Sequence, residues 1–129
     1  MAQLFSLGVS SFMSIATLLM DTAVGDSQLY FKNLDMGDRP EIPRDIDFCF
    51  YAKNEERAKL VASFVTDYRY GIPAAVERIE RQGTTSWRLI IKIHTPMTEN
   101  VIMALSGFMV CLADMYDLDY DGWGCIIQK

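Results

Sequence analysis

The stretch that decides the fold is WRLIIKIH, residues 87–94. Side chains along it alternate in character, which is typical of an antiparallel strand with one buried and one solvated face. The apolar face carries Trp87, Leu89, Ile91 and Ile93. A turn around Gly83 joins this strand to an earlier one at 75–81, so the two strands are predicted to form a hairpin.

The same reading extends to both sides of the hairpin. Residues 46–51, IDFCFY, alternate as a strand with one buried face. Apolar residues recur at helical spacing in two further segments. They predict one helix over 55–68, capped by Asn54, and a second one that is capped by Thr98 and closes near Asp117. A last strand is predicted at 122–128.

These elements follow the order β-α-β-β-α-β, which predicts an α+β fold. With right-handed crossovers, the order gives a ferredoxin-like split sandwich, an antiparallel sheet with strand order 4-1-3-2 and two helices on one face. Two prolines force extended backbone in a linker at 37–44. We therefore predict a ferredoxin-like domain at 37–129, preceded by an extension at 1–36 for which a helix is one of the alternatives.

The extension contains an uncharged stretch at 4–20. No Lys or Arg precedes it, and Ser, Thr and Gly interrupt it, so we do not expect it to span a membrane or to be an export signal. The pattern leaves open whether it docks on the domain or on a partner chain, or is an unstructured extension. The expected location of the protein is the cytoplasm.

Composition excludes several classes of function. The 129 residues carry a net charge of −5, which argues against direct binding of nucleic acid. One histidine and three cysteines without a C-x-x-C pair predict no metal site and no disulfide framework. No catalytic constellation surrounds His94, so we expect neither an enzyme nor a cofactor.

The strongest local signal is DYDGWG at the predicted start of the last strand. Glycines beside a tryptophan permit a tight turn that anchors the ring in the core. An exposed tryptophan among carboxylates would instead be an anchor for a partner protein. Both interpretations stay open, and the candidate partner-binding residues are Asp119, Tyr120, Asp121, Gly122, Trp123 and Gly124.

A secondary candidate site lies on the open face of the sheet, where Arg88, Lys92 and His94 share one side of a strand. These side chains would face an anionic small ligand, which is the alternative to a protein partner. The interface between two copies of the chain is a further place for such a ligand. Stacking of RNA bases is not expected, because the aromatic signature of RNA-binding sheets is missing.

The motif at 120–124, with PRDIDF at 43–48 and the order of elements between them, resembles the regulator of ribonuclease E activity B family. The resemblance covers about residue 36 to the end. It implies a ferredoxin-like bacterial protein that binds an RNA-degrading endonuclease and restrains its cleavage of transcripts. Two features depart from the family: this chain lacks an acidic tail, and it carries the apolar extension.

Overall fold

The computed structural model describes the backbone of residues 2–129 and the side chains of residues 15–129. Within those residues the chain forms three helices and five strands, which confirms the predicted α+β class. The helices are α1 (Ala2–Asp35), α2 (Glu55–Asp67) and α3 (Glu99–Tyr116). The strands are β1 (Arg44–Ala52), β2 (Ile72–Pro73), β3 (Glu77–Arg81), β4 (Thr84–Thr95) and β5 (Asp119–Gly124).

The sheet is antiparallel and is built around β1. Its order is β2-β4-β1-β5, and β3 also pairs with β4. β1 pairs with β4 along its whole length, from Arg44 opposite Thr95 to Ala52 opposite Trp87. The predicted hairpin between β3 and β4 is present.

The core lies between one face of the sheet and the helices. The face of β1 predicted to be buried is buried, because the period of two places every second side chain against the helices. On the predicted apolar face of β4, Leu89 and Ile91 are buried, and Trp87 and Ile93 at its two ends are partly buried. The fully buried side chains include Ile46, Phe48, Phe50, Leu89, Ile91, Val61, Val65, Ile102, Met109 and Leu112.

The helix ends follow the predicted caps with one difference. Asn54 accepts hydrogen bonds from the backbone N–H groups of Glu56 and Arg57, at 2.7 and 3.4 Å, and so caps α2. Thr98 occupies the cap position of α3, but its hydroxyl donates to the Asn100 side chain and makes no capping bond. α3 ends at Asp117, which adopts a left-handed conformation and donates its N–H to the Ala113 carbonyl.

Two predicted strands differ from the observed ones. The strand predicted at 75–81 is present as β3 but begins later, at Glu77. β2, at Ile72–Pro73, is a further short strand that was not predicted, and it pairs with a different part of β4. The last strand was predicted at 122–128 but runs from Asp119 to Gly124. Its start is earlier because α3 ends at once in a tight turn, and beyond Gly124 the chain bonds to the linker, where the Arg39 N–H donates to the Gln128 carbonyl.

The predicted extension contains α1, which packs along α3. Leu19 lies beside Gly107, and Leu29 and Tyr30 contact the main core. Most side chains of the uncharged stretch, those before Ile15, lie outside the described residues. The division into an extension at 1–36 and a domain at 37–129 stays a prediction.

One helix of the described residues is long and apolar enough, by length and composition alone, to cross a membrane. It is α3, Glu99–Tyr116. A core helix meets the same criterion, and α3 packs on the sheet through Ile102, Met109 and Leu112. We therefore describe α3 as a core helix.

Candidate functional site

Trp123, the aromatic centre of the candidate segment, is buried, with 9% of its surface exposed. It lies opposite Phe48 in the sheet, and its indole Nε1 donates a 2.8 Å hydrogen bond to Oδ1 of Asp26. Asp26 is itself buried in α1, at 7% exposure. In this structure Trp123 therefore joins β5 to α1, which is a packing role.

Tyr120 also points toward the core. Its ring lies 5.3 Å from that of Phe50, and its hydroxyl lies 2.9 Å from the hydroxyl of the buried Ser106. A bulge in β5 allows Tyr120 to face the core together with Trp123. Phe50 faces Tyr120 and Cys49 faces Gly122, so Asp121 is the extra residue, and Tyr120 and Trp123 reach the same face although they are three positions apart.

Burial raises the pKa of Tyr120 above its ordinary value, against the smaller opposite effect of the Ser106 hydrogen bond. The folded state therefore holds this phenol protonated at a pH where the unfolded chain ionises. We expect stability to fall as the pH rises above about 10, the ordinary tyrosine pKa.

Tyr120→Phe tests this. It is expected to cost about 1 kcal/mol at neutral pH, because the bond to Ser106 is lost. The stability of the variant should decline less steeply in alkali, as measured by urea unfolding at a series of pH values. If the free energy of unfolding falls equally steeply with pH in the variant and in the parent protein, the raised pKa of Tyr120 is wrong.

The exposed part of the segment is acidic. Asp119, Asp121 and Gly124 are exposed, and Gly122 is half-buried with φ of 104°, a conformation that favours glycine. Asp121 lies close enough to Cys49 to add to the effect of burial, the main factor that raises the pKa of that thiol. The side-chain groups of this segment that a partner can reach are therefore the two carboxylates of Asp119 and Asp121.

β5 is an edge strand. It pairs with β1 on one side, and no strand of residues 2–129 pairs with its other side. A cavity of about 280 Å³ lies where β5 meets α1 and the end of α3. Its lining is Leu18, Thr22, Val110, Ala113, Asp114, Asp117, Leu118, Asp119 and Tyr120.

Four aspartates lie near this cavity, at the end of α3 and along β5. Among the described side chains, no group of three or more His, Cys, Asp or Glu residues is arranged to hold a metal ion. Asp114, Asp117, Asp119 and Asp121 are all exposed, as expected of a solvated helix end and turn.

The secondary candidates, Arg88, Lys92 and His94, lie on the open face of the sheet, where acidic residues stand opposite them. Arg88 donates a 2.7 Å hydrogen bond to Glu77, which raises the pKa of the guanidinium. His94 Nδ1 lies 2.9 Å from Asp45, and Lys92 is opposite Asp47. An anionic ligand would have to compete with these carboxylates.

Sequence reasoning missed two buried acids. Asp26 lies in the extension, and no local pattern connects it with Trp123. Asp38 forms a 2.6 Å ion pair with Arg44, and both side chains are almost fully buried. The sequence could have indicated this pair. The alternation of β1 places Arg44 on the same buried face as Ile46 and Phe48, and a buried charge needs a partner.

Comparison with protein families adds the decisive observation. The model of the RraB family, described as regulator of ribonuclease activity B, matches residues 25–125. The chain belongs to this family. The RraB match begins before the resemblance seen in the sequence and includes the last turns of α1, so Asp26 and Trp123 both lie within it. A comparison with curated proteins found no match.

Proposed function

We propose that this RraB family member is a cytoplasmic bacterial regulator that binds an RNA-processing endonuclease of the ribonuclease E kind and restrains its cleavage of RNA. The observation that carries the proposal is the family match over residues 25–125. A net charge of −5 supports contact with a protein rather than with RNA. The proposal includes the ferredoxin-like arrangement with strand order 4-1-3-2, which is supported by the place of β1 between β4 and β5.

A binding role also agrees with the surroundings of the histidine. His94 lies exposed on a strand and is held by Asp45. A general base needs a positioned nucleophile or substrate within hydrogen-bond reach, usually in a cleft. Neither His94 nor Asp45 lines the cavity beside β5.

We place the contact with the endonuclease at the free edge of β5. An edge strand presents unpaired backbone N–H and C=O groups, to which an extended segment of a partner can add as a further strand. Asp119 and Asp121 are exposed there and favour a segment that carries Lys or Arg. Pairing of β5 with its own copy would bring carboxylates together and is disfavoured.

The first test uses the purified protein and purified ribonuclease E. Saturable binding at moderate salt, with slower cleavage of a short RNA, is the expected result. If the folded protein neither binds the enzyme nor slows cleavage, the proposed partner is wrong.

Charge reversal tests the place of contact. Asp119→Lys combined with Asp121→Lys is expected to weaken binding by about tenfold, since it places repulsive charges against a basic segment. Both side chains are exposed, so the fold should survive, which a thermal melt checks. The matched control is Glu56→Lys with Asp67→Lys, which makes the same charge change on α2. Equal loss in both double variants would mean that net charge, and not the β5 edge, governs binding.

A further inference from the structure

The outward face of α1 carries large apolar side chains exposed to solvent. Met20, Val24 and Phe31 are 69, 58 and 51% exposed, and their spacing places them on one stripe of the helix. The opposite face of α1 packs on the rest of the protein through Leu19 and Asp26. The stripe therefore contributes nothing to the core, and large apolar surfaces of this kind mark interaction sites.

The stripe has a depression at its centre. The small side chain of Ser27 lies between Val24 and Phe31, and the depression measures about 490 Å³. It is lined by Ala23, Val24, Ser27, Gln28 and Phe31. A bulky side chain on a second helix fits between such neighbours, as knobs fit into holes in helix pairs.

The charged residues beside the stripe indicate which helix packs on it and in which direction. Asp21 and Lys32 are eleven residues apart, about three helical turns, so they lie on the same flank of the stripe. In an antiparallel pair with its two-fold axis between Ser27 and Gln28, Val24 meets Phe31 of the second copy. Asp21 then lies about 3 Å along the axis from Lys32 of the second copy, a shift that a lysine side chain spans.

We propose that a second copy of this chain packs on the Met20, Val24 and Phe31 stripe of α1, with the two helices antiparallel. A parallel two-fold pair would place the flanks of the two copies on opposite sides of the contact, so that no pair between Asp21 and Lys32 forms. The antiparallel pair brings the two flanks together and satisfies both charges twice, as an isologous interface does. A helix that lies on an anionic membrane carries an excess of basic residues along its polar flank, and here Asp21 balances Lys32 on that flank. The proposal does not depend on the endonuclease.

The association state of the purified full chain tests the proposal. Light scattering behind size exclusion is expected to give a dimer, and Val24→Glu a monomer, with the dissociation constant raised about tenfold or more by a charge in the apolar contact. Leu60→Glu is the control, since Leu60 is 56% exposed on α2 and lies outside the stripe. A monomeric parent protein, or equal dissociation of both variants, would overturn the proposal.

Cysteine cross-linking tests the direction of the helices. In a Cys111→Ser background, which removes the exposed native thiol, Ser27→Cys is expected to form a disulfide-linked dimer under mild oxidation. Asp21→Cys should not, because the two copies of residue 21 would be about 20 Å apart along an antiparallel pair. Linkage of both variants would overturn the antiparallel arrangement. Co-sedimentation of the parent protein with phosphatidylglycerol vesicles, lost in Val24→Glu, would assign the stripe to a membrane and overturn the proposal.

Discussion

Replacement of Trp123 by alanine is expected to lower the free energy of unfolding by about 3–5 kcal/mol, the usual cost of removing a buried aromatic side chain. Trp123 lies opposite Phe48 and is 9% exposed. The substitution also removes the N–H that binds Asp26, so a buried carboxylate loses its partner. Urea unfolding followed by circular dichroism measures the effect.

Two further variants separate packing from hydrogen bonding. Trp123→Phe retains a ring but loses the indole N–H, and we expect a smaller loss, about 1–3 kcal/mol. Combining it with Asp26→Ala should cost less than the sum of the single changes, because the two residues share one bond. If Trp123→Ala unfolds at the parent's urea midpoint, the buried position of the indole is wrong.

The buried position of Trp123 changes what a loss of binding in Trp123→Ala would mean. A tryptophan between acidic residues would also serve as an exposed partner anchor, and loss of binding in Trp123→Ala would then be read as a lost contact. The structure places the ring between β5 and α1, so the same loss is expected from damage to the fold. The exposed residues Asp119 and Asp121 are the proper test of the β5 edge.

Replacement of Arg44 by alanine is expected to have a similar effect, about 3–5 kcal/mol, because it leaves Asp38 as an unpaired buried charge. The side chains of Arg44 and Asp38 are 2 and 0% exposed. Arg44 also donates to the carbonyls of Arg39 and Ile42, and Asp38 accepts from the Gln128 N–H. The pair therefore ties the linker before β1 to the chain after β5.

The control is an exposed ion pair in the same linker. Arg39 and Glu41 are 2.8 Å apart with side chains 61 and 59% exposed, and Arg39→Ala should leave the melting temperature nearly unchanged. Replacing both buried partners, Asp38→Leu with Arg44→Met, should destabilise less than either single change, since no charge stays unpaired. A double variant as unstable as the worse single variant would mean that the loss comes from packing and not from the charge.

The sequence by itself determined the elements whose pattern is local. The alternation at 46–51 and 87–94, the helical spacing of α2 and α3, and the Asn54 cap follow from neighbouring residues, and all are present. The family was also within reach, because its motif is a short continuous stretch. The open-face candidates Arg88, Lys92 and His94 were placed correctly on one side of β4 by its period of two.

Only the tertiary structure decided which side chains of the last strand are buried. The bulge at Asp121 turns Tyr120 and Trp123 to the same face, against the simple alternation. The tight turn at the end of α3 places the start of the strand at Asp119. Trp123 is buried because Asp26 lies against it from 97 positions away, and Asp38 meets the Gln128 N–H from 90 positions away. Contacts between such distant residues depend on how the layers pack, and no periodicity within a segment encodes them.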